Sequence, residues 1–308
     1  MLNKRMLIIL IMLFVGQFDA ATNINFKTQF VANAQKAGFF TDKTFEGLIK
    51  GLKPLNNKIP KTNKKSLRVV TYNVHGFKNA LNKKTGKSIY YVLKNINADV
   101  LVLQEVYDKD KIIWYLNKLG YKYRVFAPID SSKHFGNMIL SKYPFKKKQI
   151  NYFKNNSLIK SKKLRSYIEV ELDLSKFGKK NLVIYGTHLA IYSQVPKRSP
   201  KNSPHDENIR IGEIKELLWR IKNQDKNKNV IIAGDFNSAK TGTALTTLIK
   251  AGFKDNFSNA KVNVPVFTNL HGGAIDYIFS KFKDLKNVGS YIYFTAASDH
   301  LPVISDIK

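Results

Sequence analysis

Ile231-Ile232-Ala233-Gly234-Asp235-Phe236-Asn237-Ser238 decides how this chain is read. The short apolar run has the length and composition of a buried strand, and it stops on a carboxylate and an amide two positions apart. An α/β sheet presents its chemistry at such a place, where strand ends meet a cleft. A single apolar strand ending in Asp or Asn is ordinary, because turns favour those residues. The plan recurs, however, in Val69-Val70-Thr71-Tyr72-Asn73 and in Val100-Leu101-Val102-Leu103-Gln104-Glu105. It recurs again at Thr187-His188, at Ile275-Asp276-Tyr277 and in Ser298-Asp299-His300-Leu301-Pro302-Val303. So many polar strand ends point to one assembled centre.

Working outward, apolar runs predict strands at 67–74, 99–104, 121–126, 137–140, 167–174 and 182–187, then at 230–233, 274–279, 291–294 and 301–304. Helices are predicted at 88–96, 109–118 and 207–222. The last is the clearest, with Ile211, Ile214, Leu217, Leu218 and Ile221 on one face and charges opposite. Arg210 falls on its polar side, where solvent or a salt bridge would take it. Consecutive strands mixed with crossover helices imply packed sheets flanked by helices.

The N-terminus reads differently. Lys4-Arg5 precede an apolar stretch from Met6 to Gly16 that is too short to span a bilayer and suits a signal-peptide core. The domain plan is therefore residues 1–20 as signal peptide, 21–65 as extension and linker, and 66–308 as catalytic domain. Within the extension, 30–37 carries a helical pattern and 53–65 a Lys/Asn/Pro linker composition.

Composition narrows the chemistry. Hydrophobic residues make up 44% of the 308, enough for a packed core. Cysteine is absent, which excludes thiol catalysis, zinc-thiolate sites and disulfides. Lys+Arg 52 against Asp+Glu 22 gives a net charge of +30. Two readings of that charge stand side by side: a polyanionic partner, either nucleic acid or an anionic membrane, and the codon bias that also enriches Asn, Ile, Phe and Tyr.

Phosphodiester hydrolysis needs a hard cation, a base for water, an acid for the leaving group and stabilisation of charge on phosphate. Mg2+ or Mn2+ prefers oxygen ligands, which Asn73, Glu105 and Asp299 supply from strand ends. Asp235 and Asn237 face the same way on an extended backbone, so both can reach one reacting group. The carboxylate can take a proton and the amide can hold a phosphate oxygen. His188 and His300 are the candidates for proton donation, and a carboxylate such as Asp276 would fix the tautomer of one of them. His75, His134, His205 and His271 are read as loop residues without a catalytic role, and Tyr72 and Tyr277 as core aromatics beside the cleft.

At this point the chain resembles the endonuclease/exonuclease/phosphatase superfamily. The matching stretches run in order from Val70-Thr71-Tyr72-Asn73-Val74-His75-Gly76 through Leu103-Gln104-Glu105-Val106 and Ile139-Leu140-Ser141-Lys142-Tyr143-Pro144. They continue through Gly186-Thr187-His188-Leu189 and Gly234-Asp235-Phe236-Asn237-Ser238 to Ile275-Asp276-Tyr277-Ile278 and Ser298-Asp299-His300-Leu301-Pro302. The resemblance implies an α/β fold, a four-layer αββα sandwich with two central mixed sheets. It implies that Glu105 binds a divalent metal, with Asn73 and Asp299 nearby, and that Asp235 activates water while Asn237 holds the phosphate. It implies that His300 with Asp276 stabilises the transition state, and that His188 assists the leaving group or contacts the phosphate.

Subfamily features separate. Thr187-His188 departs from apurinic-site endonucleases, and Gly136-Asn137 stands where pancreatic-type deoxyribonucleases carry a Glu. The expectation is a secreted or periplasmic, monomeric, Mg2+- or Mn2+-dependent nuclease without a protein partner. A phospholipid or sphingomyelin phosphodiesterase, or a phosphatase, on the same residues is the alternative. A non-catalytic exported polyanion binder is the reading of another class, and the intact Asn73, Glu105, Asp235, Asn237 and His300 argue against it.

Overall fold

The computed structural model describes residues 53–62, 66–80, 82–154, 164–175, 178, 181–191, 204–259, 267–269 and 273–308. The signal peptide, most of the extension, residues 192–203 and His271 lie outside these residues. Among the described residues, twelve strands form two sheets. The first orders β11 (Asn287–Ile292), β12 (Val303–Ile307), β1 (Leu67–Asn73), β2 (Val100–Tyr107), β4 (Phe135–Ser141) and β3 (Tyr123–Pro128). The second orders β5 (Phe145–Tyr152), β6 (Ser166–Leu172), β7 (Leu182–His188), β8 (Asn229–Asp235), β10 (Asp276–Lys281) and β9 (Lys254–Asp255). Each sheet has one parallel pair at its centre, β1 with β2 and β7 with β8, and antiparallel strands outside it.

Helices cover the outer faces. Helix α1 (Gly86–Ile96) buries Ile89, Val92, Leu93 and Ile96 at helical spacing, and α2 (Lys111–Lys118) adds Ile112, Ile113 and Leu116. Both pack on Val70, Tyr72, Leu101 and Leu103 of the first sheet. Helix α3 (Pro204–Gln224) and α4 (Thr243–Lys250) cover the second sheet, where Ile214, Leu217, Leu245 and Leu248 meet Tyr185, Val230, Ile232 and Phe279. Between the sheets lies a third core built from Val69, Val100, Val102 and Ile139 against Ile168, Ile184, Ile231, Ala233 and Ile278. These are the four expected layers.

Strand parity then places the chemistry. Val69, Thr71 and Asn73 share one face of β1, and Ile231, Ala233 and Asp235 share one face of β8. Their apolar members lie in the inter-sheet core, so Asn73 and Asp235 crown that core at its edge. Ile184 brings His188 to the same layer, and Ile278 brings Asp276. Two glycines permit close approaches, Gly234 to its paired strand β7 within the second sheet and Gly186 to the opposite sheet. A Cβ at Gly234 would fall 1.9 Å from Thr187 O, and one at Gly186 would meet Val102 Cγ1 at 2.8 Å across the sandwich.

Several boundaries differ from the sequence reading. The strand expected at 121–126 begins at Tyr123, that expected at 291–294 is Asn287–Ile292, and that expected at 301–304 begins after Pro302. Strand β5 and helix α4 were not anticipated. The former is a lysine-rich edge strand in which Phe145 is half buried and Ile150 and Tyr152 are exposed, and the latter is a short helix rich in Thr. Lys53–Lys58, within the stretch read as linker, forms a 3-10 helix docked on the domain. Asn56 exchanges hydrogen bonds with the backbone of Phe294 at 2.9 and 2.8 Å, and Pro60 O accepts from Arg68.

Candidate active site

The centre spans the seam between the sheets. The first sheet and its loops contribute Asn73, Glu105, Asp299 and His300; the second contributes His188, Asp235, Asn237 and Asp276. Asp235 Oδ2 is the hub. Asn73 Nδ2 donates to it at 3.0 Å, His188 Nε2 lies 3.5 Å away and His300 Nε2 3.8 Å away. Asn73 Nδ2 also donates to Glu105 Oε1 at 3.1 Å, while its carbonyl accepts from His75 N at 3.0 Å. Asp235 Oδ1 accepts from the Asn237 backbone at 2.9 Å, and Asn237 Nδ2 donates to Leu189 O at 3.0 Å.

His300 is gripped from its other nitrogen. Its Nδ1 lies 2.8 Å from Asp276 Oδ2, which also accepts from Thr268 Oγ1 at 2.7 Å. Asn269 Nδ2 lies 2.8 Å from His300 Nε2. Burial alone would depress this imidazole, but Asp276, Asp235 and Asp299 outweigh it and hold its pKa well above the ordinary value. Burial first, then the negative charge of Asp276, pushes Asp235 upward, against His300 and the amide donors of Asn237 and Asn73. Asp276 and His300 are thus joined by a hydrogen bond, and Asp235 is coupled to both through charge alone.

Glu105 reaches this cluster against its strand parity. Leu101 and Leu103 face the helices, and a regular strand would send Glu105 after them. A β-bulge intervenes: Leu103 pairs with Met138 and Val106 with Gly136, so Gln104 and Glu105 oppose Asn137 alone. Glu105 takes φ +57°, which turns its carboxylate toward Asn73. Asn237 and His75 also take positive φ, +48° and +47°. Left-handed non-glycine residues concentrated at one centre are the pattern of a functional site.

Asp299 sits beside Asn73 through Ser298, whose Oγ donates to Asn73 O at 2.8 Å and to Asp299 Oδ1 at 3.2 Å. His75, expected to play no part, lies 3.5 Å from Asp299. A hard divalent cation fits this donor set. Glu105 is the half-buried carboxylate while Asp235, Asp276 and Asp299 are buried, every carboxylate and amide offers oxygen, and the chain has no thiol. Asp235, Asp276 and His300 also bring potential metal-binding atoms within 4.8 Å of one another. Within that trio the Asp276–His300 pair is already closed by a hydrogen bond, which leaves Asp235 as its open carboxylate.

Sequence reasoning missed a second tier. Arg165 is buried, and its charge faces Glu213, Glu105 and Asp235. Arg210 makes the salt bridge that was one of its two expected fates, with Glu207 at 2.8 Å, yet it is 3% exposed rather than on a solvated face. Its Nη1 donates to Ala190 O while Ala190 N donates to Glu213 Oε2 at 2.9 Å. Helix α3 thereby holds both sides of one residue, Ala190, two positions after His188 and next to the Leu189 carbonyl that receives Asn237. A basic residue three positions before an acidic one in that helix was the only available signal.

A sandwich of this topology, with a buried Asp–His pair, a second His and an adjoining carboxylate cluster at one edge, defines a metal-dependent phosphoester hydrolase. The chain belongs to the Endonuclease/Exonuclease/phosphatase family, whose sequence profile matches residues 70–300. No curated protein sequence matches it. Among solved structures, the endonuclease/exonuclease/phosphatase from Beutenbergia cavernae is 20% identical with a TM-score of 0.64, covering 79% of this chain and 71% of that one. The human Nocturnin catalytic domain with bound sulfate anion is 18% identical with a TM-score of 0.62, covering 80% and 96%. D. rerio TDP2 complexed with single strand DNA product is 18% identical with a TM-score of 0.61, covering 79% and 99%. These likenesses concern the fold.

Proposed function

We propose that the chain is an exported, monomeric, Mg2+- or Mn2+-dependent nuclease that hydrolyses phosphodiester bonds of DNA. The observation that carries the chemistry is the Asp235 carboxylate shared by Asn73, His188 and His300. The net charge of +30 supports a nucleic-acid substrate, since a basic body draws a polyphosphate to a cleft crowded with carboxylates. The DNA product in the similarly folded TDP2 structure is compatible with that choice. Lys4-Arg5 and the apolar stretch after them support export.

In this mechanism Asp235 takes a proton from the attacking water as the new P–O bond forms. His300, kept charged by Asp276, faces the negative charge that grows on phosphate. Asn237 has a second N–H beyond the one given to Leu189 O and directs it to a phosphate oxygen. His188 gives a proton to the departing oxygen as the old P–O bond breaks. Glu105, Asp299 and Asn73 would hold the cation, which would supply neutralisation of the phosphate charge. Arg165 adds a buried positive charge behind Glu105 and Asp235.

Nicking of supercoiled plasmid with Mg2+ or Mn2+, abolished by EDTA and by Asp235→Asn, is the expected result. Failure to cut DNA or RNA with any divalent metal, together with headgroup release from liposomes, would replace the nuclease with a lipid phosphodiesterase. N-terminal sequencing of the exported protein, expected to start near Ala21, checks the leader.

A further inference from the structure

The outer face of α1 and α2 carries a feature that hydrolysis does not use. Tyr91, Trp114 and Tyr115 are 48%, 55% and 45% exposed. They form one chain of rings: Tyr91 edge-on to Tyr90 at 5.4 Å, Tyr90 to Tyr115 at 5.7 Å and Tyr115 to Trp114 at 4.9 Å. Lys118 Nζ lies 3.7 Å over the Trp114 ring, and Lys87, Lys94 and Lys118 are exposed. Neither helix contains Asp or Glu. Of the acids just before α2, Asp110 caps the helix by accepting from Ile112 N, and Asp108 pairs with His134. Single exposed aromatics are normal on a protein surface, whereas a contiguous set ringed by lysines marks a contact surface.

We propose that this face docks on an anionic lipid bilayer. Tyr and Trp have apolar bodies with polar tips and settle at headgroup depth, and lysine stems lie along apolar surface while their ammonium groups reach lipid phosphates. Single-stranded nucleic acid is the competing partner for a basic aromatic surface, but it stacks its bases on open ring faces. Here the rings cross one another at 57–74°, and Lys118 closes one face of Trp114. The top of α1 adjoins the candidate active site: Thr85, just before the helix, donates to Ala297 O, one residue from Ser298. Docking would therefore bring the cleft close to the lipid surface. The inference stands whichever phosphodiester is cut.

The test uses the full chain carrying Trp219→Phe, which leaves Trp114 as its only tryptophan. Vesicles of phosphatidylglycerol in phosphatidylcholine should shift Trp114 emission to the blue, and phosphatidylcholine alone or a DNA oligonucleotide should not. The combined Tyr91→Ala, Trp114→Ala and Tyr115→Ala variant, compared with wild type by co-sedimentation, should partition about tenfold more weakly. Its circular dichroism and its turnover of a soluble phosphodiester should be unchanged. Equal partitioning of variant and wild type would overturn the proposal and assign any binding to another segment, such as residues 6–16. A Trp114 shift with DNA but not with vesicles would overturn it in favour of nucleic acid. Emission already blue without vesicles and unmoved by them would mean that part of the chain itself covers the face, which also overturns it.

Discussion

Strand β1 carries a buried polar cluster at each end, and the two are built on opposite principles. At its start, the Arg68 guanidinium is held by four of its five N–H groups. Asp306 accepts from Nε and Nη2, both at 2.7 Å, and the carbonyls of Ile96 and Pro60 accept from Nη1 and Nη2. At its end, Asn73 opens onto three buried carboxylates, two buried imidazoles and a half-buried glutamate, with left-handed backbone at Glu105, Asn237 and His75. One cluster has its charges matched within the fold. The other crowds more carboxylates than the His300 and Arg165 charges beside them offset, a surplus that a bound divalent cation would neutralise. The difference separates a structural ion pair from a reactive centre: satisfaction serves stability, and incompleteness serves chemistry.

The comparison can be broken from either end. The largest effect is expected at the open end, where Asp235→Asn should cut kcat by about 10^3-fold or more while leaving stability equal or higher. Turnover and chemical denaturation on the same preparation check both halves of that statement. At the closed end, Arg68→Met should cost about 3–5 kcal/mol, because Asp306 is left buried without its partner. Activity per folded molecule should stay within about twofold, since the change lies at the far end of the strand; a large fall in kcat would dissolve the distinction. Asp276→Asn should lower kcat by about 10^2-fold and return the His300 pKa toward its ordinary value, followed by NMR titration.

The smallest effect concerns Glu213. Burial pushes its carboxyl up to about 7 from 4.5, with Ala190 N–H, Arg165 and Arg210 opposing and Glu216 adding to the rise. The folded state therefore favours the protonated form, and stability declines as pH rises from 4.5 to about 7. Glu213→Gln keeps an acceptor for Ala190 and cannot ionise. Urea denaturation midpoints at the two ends of that window should differ less in the variant than in wild type.

Much of the site was legible because strand parity is a simple rule. Asp235, His188, Asp276 and Asn73 share a face with the apolar residues of the inter-sheet core, so alternation alone brings them to one layer. Glu105 shows where that rule fails. Only the bulge opposite Asn137 re-aims it, and nothing in Leu103-Gln104-Glu105-Val106 announces a positive φ. Arg210 and Glu213 were obscure for another reason: a charged side chain on a helix reads as solvated unless the loop that it grips is known. Strand β5 went unseen because an edge strand with three consecutive lysines, Lys146 to Lys148, lacks the apolar run by which strands are read.

Gly186 has a consequence beyond packing. With no side chain there, Val102 and Ile139 of the opposite sheet press directly on β7, and this contact sets the gap between the two halves of the molecule. Asn73 to Asp235 and His300 to Asp276 are bonds across that same gap. The hydrocarbon interior therefore works as a caliper for the reacting groups: a methyl group added deep in the sandwich would be read out, a few residues along each strand, as a changed distance between acid and base.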